Sequence, residues 1–235
     1  MINYLLYLIF AFTPIFVWLF FYLKKDAHPE PKKMILKVFL GGMFVACIVA
    51  IIETIFLRAI SKQSIFFTVL ESFLLIAFIE EIAKYLVVKK FVFRSPELDE
   101  PLDVMLYMVI TALGFAAVEN IILFFAVDYS YTILSAFQFS LLRFVGAVFL
   151  HTLTSATVGF FIAMSFRSTK NKKLFFISGF LIAIILHGFY NFAIVNFFGF
   201  WQYSVPAVII IILAIFTTLG FVKLKKFKTI GTIFN

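Results

Sequence analysis

The chain has 235 residues, of which 64% are hydrophobic and only 14% charged, with a mean hydropathy of +1.11. A soluble domain is about 45–50% apolar and about 25% charged, so this chain has too little polar surface to cover a globule in water. Lipid is the solvent for most of it. The net charge of +8 then reports basic loops beside anionic lipid rather than a nucleic-acid interface. The single cysteine, Cys47, excludes an internal disulfide and a thiolate metal cluster.

Apolar runs of about 20 residues predict transmembrane helices. Seven follow one another, over 2–23, 35–57, 65–88, 102–127, 132–166, 174–196 and 204–222. The first lacks a basic leader and a small-x-small cleavage site, which predicts a permanent span. The fifth is too long for one simple crossing. It is expected to tilt strongly, or to begin as an interfacial or re-entrant segment before Arg143. The segments after spans 1, 3, 5 and 7 carry 15 Lys and Arg; the three between them carry only Arg58 and Lys62. That alternation predicts an N-terminus outside and a C-terminus in the cytoplasm. Trp201, Tyr203, Tyr129 and Tyr131 would then form an outer aromatic belt. There is no internal repeat or linker. The expectation is a single all-α domain over 1–235, a polytopic helix bundle in the cell membrane.

Ionisable side chains inside a span cost about 2.5–3.5 kcal/mol each on insertion scales, and those retained are partnered, inward-facing and functional. Here they are Glu53, Glu71, Glu80, Glu81, Lys84, Glu119, Arg143, His151 and His187. In IAFIEEIAKYLVV (76–88), Lys84 lies four residues from Glu80 and three from Glu81, on one helix face. One carboxylate can be neutralised locally. The other is left over, which suits a general base or acid. The plainer alternative is an interhelical charge pair, with Arg143 for instance. In HGFYN (187–191), His187 and Asn191 share a face and could donate two hydrogen bonds to one oxygen, as an oxyanion site does. Interhelical glue is the alternative. Arg143 and His151 are eight apart, about two turns. The small residues from Thr152 to Gly159 read as close helix packing. His151 needs a partner, and Glu80 or Glu81 is the natural one. In LGFAAVEN (113–120), Glu119 could be a metal ligand, a partner of His151 or a partner of Arg143, with Asn120 beside it. Glu53 and Glu71 read as structural or gating residues. Counting 1.5 Å per residue, Glu80 lies roughly 13 Å from the inner end of its span and the two histidines roughly 20 Å from theirs. The mismatch is modest, and it shrinks if span 3 runs on to Phe93.

There is no HExxH helix, no GxSxG elbow and no phosphate-binding loop. Two readings other than an enzyme stay open from the residues alone. One is a proton- or ion-coupled transporter using the same Glu, His and Arg residues. The other is a helper that binds a partner span through its small-residue faces.

Five segments in order, KKDAHPEP (24–31), EEIAK (80–84), LGFAAVEN (113–120), Arg143 with His151, and HGFYN (187–191), resemble the PrsW family of intramembrane proteases. They are more distantly similar to the CAAX prenyl endopeptidases and their bacterial relatives. The resemblance implies hydrolysis of a peptide bond in a membrane-protein substrate with a transmembrane segment, such as a single-span anti-sigma factor. It implies that Glu80 activates water with help from His151, and that His187 and Asn191 stabilise the oxyanion. Glu81 and Lys84 would orient the site, supported by Glu119, Asn120 and Arg143. A metal-free glutamate mechanism is favoured, with no cofactor. The alternative is a zinc ion held by Glu80, His151 and His187, two imidazoles and a carboxylate that leave a position for water.

Overall fold

A computed structural model describes residues 2–26, 28–59, 64–126, 132–168 and 170–227. Among them every regular element is helical: α1 (Ile2–Leu23), α2 (Lys32–Ala59), α3 (Ile65–Leu70), a π-helical segment (Glu71–Phe78), α4 (Ile79–Phe91), α5 (Pro101–Ala126), α6 (Ile133–Val145), α7 (Ala147–Arg167), α8 (Lys172–Asn196) and α9 (Phe200–Leu224). Six stretches are long and apolar enough to cross a membrane: α1, α2, α5, α6 with α7, α8 and α9. The third expected span is helical from Ile65 to Phe91, but the π-helical turns divide it. Tyr129, Tyr131, Lys62, Asp128 and Lys228 lie outside the described residues.

Helix α5 is the axis of the bundle. Residues 101–118 are all buried, along with Asn120 and Phe124. A helix apolar all round is a core helix, and α7, α2, α1, α4 and α9 surround this one. Close approach requires glycine at the crossings. A Cβ on Gly114 would strike the Phe39 carbonyl of α2, and one on Gly159 of α7 would lie 2.6 Å from Met105 Cα. The outer faces stay apolar and exposed, for example Leu5, Phe44, Ile133, Val195 and Ile215, as lipid contact demands.

Two breaks in the helices bear on the site. In α1, Pro14 cannot donate to the carbonyl of Phe10 four residues back. That oxygen takes the Ser140 hydroxyl instead, at 2.7 Å, and the next carbonyl, Ala11, takes the Asn120 amide at 2.9 Å. Freed backbone acceptors in lipid must be met by another helix, so Pro14 ties α1 to α5 and α6. The long fifth stretch is broken at Gly146 (φ −101°, ψ −104°), which ends α6 and precedes α7. The break falls three residues after Arg143.

The basic segments gather at one end. His28 Nδ1 lies 2.8 Å from Glu100 Oε1, the Phe93 ring meets Phe166 edge-on at 5.3 Å, and the Arg167 guanidinium sits 3.9 Å over the Phe227 ring. Just inside this end Tyr107 donates to Glu30 Oε2 at 2.5 Å, and Asp103 Oδ2 accepts the backbone N–H groups of Asp99 and Glu100. Burial pushes the Glu30 carboxyl above its usual range. Trp201 and Tyr203, at the start of α9, are exposed.

Candidate functional site

Four helices bring the ionisable residues together. Glu80, Glu81 and Lys84 occupy the buried face of α4, Glu119 lies on α5, His151 on α7 and His187 on α8. Glu80, Glu81, Lys84, His151 and His187 are all at most 3% exposed. Helix α4 does run on to Phe91, which lengthens the inner part of span 3, and the contacts between α4, α7 and α8 bring Glu80, His151 and His187 to one level. Gly188 lets α8 lie against the π-helical segment, where a Cβ would meet the Phe73 ring at 2.6 Å. The preceding residue, His187, reaches Glu81 of α4.

Lys84 is the hub. Its ammonium donates to Glu80 Oε2 at 3.1 Å, Glu81 Oε1 at 3.0 Å and His151 Nδ1 at 3.0 Å. An ammonium has three protons, so this set uses all of them, and the Phe115 ring covers the cation at 4.5 Å. The assignment of the histidine protons follows from this network. His151 Nδ1 accepts from Lys84, so Nε2–H donates to Glu119 Oε2 at 2.8 Å. Glu119 also accepts from Arg143 Nη2 at 3.0 Å, and Arg143 Nε donates to Asn120 Oδ1 at 2.6 Å. Glu119 is thus the common partner of His151 and Arg143. Asn120 links that pair to α1 rather than reaching the centre.

The two neighbouring carboxylates are not equivalent. Glu81 accepts from Lys84, from His187 Nδ1–H at 3.1 Å, from the Thr154 hydroxyl at 3.1 Å and from the Ser155 hydroxyl at 3.1 Å. Four donors saturate an ionised carboxylate and hold it as a fixed anion. Among the described residues Glu80 receives one hydrogen-bond donor, Lys84. It is the left-over carboxylate. His187 Nε2, bare once Nδ1 carries the proton, faces Glu80 Oε2 across 3.9 Å, and His151 Nδ1 lies 3.4 Å from the same oxygen. Asn191 is half-buried one turn beyond His187, and its amide has no hydrogen-bond partner among the described residues.

Glu80, His151 and His187 each offer a ligand atom, all within 4.8 Å of one another. Each imidazole has its other nitrogen on a carboxylate, Glu119 or Glu81, the arrangement that orients metal-ligating histidines. The donor set therefore fits a divalent ion in type and spacing. Lys84 would have to release His151 Nδ1 for that nitrogen to ligate.

Thr154 and Ser155, which read in the sequence as packing residues, donate to Glu81. Their signal was two adjacent hydroxyls one turn from His151 in an apolar helix. Glu71 opens the π-helical segment. Glu53, in α2, has one buried carboxylate oxygen without a partner among the described residues.

A multi-helix bundle built for lipid, with a carboxylate and two imidazoles converging in its buried interior, defines a polytopic membrane protein with a sequestered cluster of ionisable side chains. A family profile described as PrsW family intramembrane metalloprotease matches residues 30–219, and the chain belongs to that family of intramembrane proteases. It is 29% identical over 172 residues to Protease PrsW of Geobacillus kaustophilus, covering 73% of this chain and 72% of the relative. It is 28% identical over 187 residues to Protease PrsW of Oceanobacillus iheyensis, covering 80% and 82%. It is 25% identical over 213 residues to Protease PrsW of Bacillus subtilis, covering 90% of each. No solved structure matches the chain.

Proposed function

We propose that this intramembrane protease hydrolyses a peptide bond in or beside the transmembrane segment of a membrane-protein substrate, in the cell membrane, with Glu80 as the general base. The observation that carries the reading is the convergence of Glu80, His151 and His187 in a buried centre. Water seated beside Glu80 Oε2 and His187 Nε2 gives a proton to Glu80 as its oxygen attacks the scissile carbonyl carbon. The Asn191 amide donates to the developing oxyanion, while His187 Nε2, which carries no proton in this tautomer, accepts from the water and orients it. As the C–N bond breaks, Glu80 returns its proton to the leaving amine. Glu81 stays ionised, pinning Lys84 and His187. His151 and Glu119 hold Lys84 and Glu80 in register, and Arg143 anchors Glu119. The positive-inside rule places the basic end of the bundle in the cytoplasm.

The occupation of His151 Nδ1 by Lys84 favours a metal-free centre. The ligand spacing and the family's description support a second reading, in which Glu80, His151 and His187 hold a divalent metal. That ion would supply Lewis-acid activation of water and of the carbonyl. Membership of a protease family favours hydrolysis over an ion relay through the same residues.

The test is cleavage of a panel of single-span peptides by the purified protein in liposomes, with products sized by mass spectrometry, with and without a strong chelator. Cleavage that survives the chelator is the expected result. Loss with chelator and recovery with zinc would replace the metal-free reading by the second. An intact panel would refute hydrolysis.

A further inference from the structure

Glu53 has no part in that scheme, yet its surroundings ask for a ligand. Ala46 and Val49 of α2 pack with Phe115 and Val118 of α5, and Ile79 and Ala83 of α4 lie against the same cluster. Glu53 is one helical turn beyond Val49, on the same face, and Glu119 directly follows Val118. Phe115 of this cluster covers the Lys84 ammonium at 4.5 Å, so Glu53 stands at the edge of the centre. Its side chain is only partly covered, but Oε1 is buried and has no hydrogen-bond donor among the described residues. A buried acceptor left unmatched is costly.

The donor that would satisfy it comes with the substrate. A transmembrane helix must unwind around a bond that is to be cut, because helical hydrogen bonds shield the carbonyl. In lipid every N–H freed by unwinding needs an acceptor. We infer that Glu53 is the acceptor for a backbone N–H of the unwound substrate segment beside the scissile bond. This rests on the hydrolase reading. Glu53 would act in binding and positioning, with no proton transfer of its own.

The test uses the full-length protein in liposomes and a synthetic single-span peptide that the wild type cleaves. Backbone N–H groups near the cut are replaced one at a time by ester oxygens. A hydrogen bond to a buried acceptor is worth about two- to tenfold. Glu53→Leu is expected to lower kcat/KM by a factor in that range, with Glu53→Gln, which keeps an acceptor oxygen, losing less. Neither variant should melt below the wild type, since a lone buried carboxylate is removed. One ester position should lower wild-type cleavage by a similar factor and have little further effect in Glu53→Leu. Equal kcat/KM for the wild type and Glu53→Leu, or ester penalties undiminished in Glu53→Leu, would overturn the inference. A wild type that cleaves no peptide refutes the hydrolase reading itself, and this inference with it.

Discussion

Replacing Lys84 by Met removes the one cation that touches both Glu80 and Glu81, together with the donor to His151 Nδ1. Methionine fills similar space, so the change is chiefly electrostatic. Arg143 is engaged with Glu119 and Asn120 and does not compensate. Taking one partner from a buried, hydrogen-bonded charge pair costs about 3–5 kcal/mol, and here two carboxylates lose the same partner. The expected loss is at the upper part of that range. Denaturant unfolding in bicelles, followed by helical circular dichroism, reads it directly. The double variant Lys84→Met/Glu81→Gln should be less destabilised than the two single changes summed, because the second removes an anion that the first left unpaired. Strict additivity, or a Lys84→Met protein as stable as the wild type, would refute the hub role of Lys84.

Other outcomes follow from the same geometry. Thr154→Val and Ser155→Ala each remove one donor from Glu81; each should cost about 1.5–3 kcal/mol of stability, measured in the same unfolding assay, and lower kcat more than they raise KM. Gly159→Leu drives side-chain atoms into the α5 backbone near Met105, so the folded yield in detergent should collapse, as judged by size-exclusion chromatography. Because burial raises the Glu30 carboxyl above its unfolded value of 4.5, the native state binds that proton more tightly. Its stabilising contribution is present below pH 4.5 and lost as pH rises through the raised value. Glu30→Gln should flatten that decline in a melting-temperature series across pH, and an unchanged slope would count against it.

Much of the site was legible because lipid makes polar residues conspicuous. The spacing of Glu80, Glu81 and Lys84 on one face, and the unmet needs of His151 and His187, were enough to group them before any contact was known. The division of labour between the two carboxylates was not legible in their spacing, and only the family resemblance assigned it. It depends on Thr154 and Ser155, whose small hydroxyl side chains serve packing and hydrogen bonding equally well in a sequence. The π-helical turns at 71–78 were hidden too. ESFLLIAF carries no glycine or proline to mark an irregularity, and the turns lie where Gly188 of α8 meets Phe73, a contact more than a hundred residues distant in the chain. The fifth span announced its excess length, but the break at Gly146 needed the structure to place it. Glu53 looked isolated because the cluster beside it draws on α4 and α5 as well as α2.

The central claim is that Glu80 is the base of a hydrolytic centre buried in the bundle. The most direct measurement is kcat for cleavage of a single-span peptide by Glu80→Gln in liposomes, with melting temperature as the control for folding. General-base loss predicts a fall of about a hundredfold or more in a protein that melts near the wild-type temperature. A Glu80→Gln protein that cleaves at the wild-type rate would contradict the account.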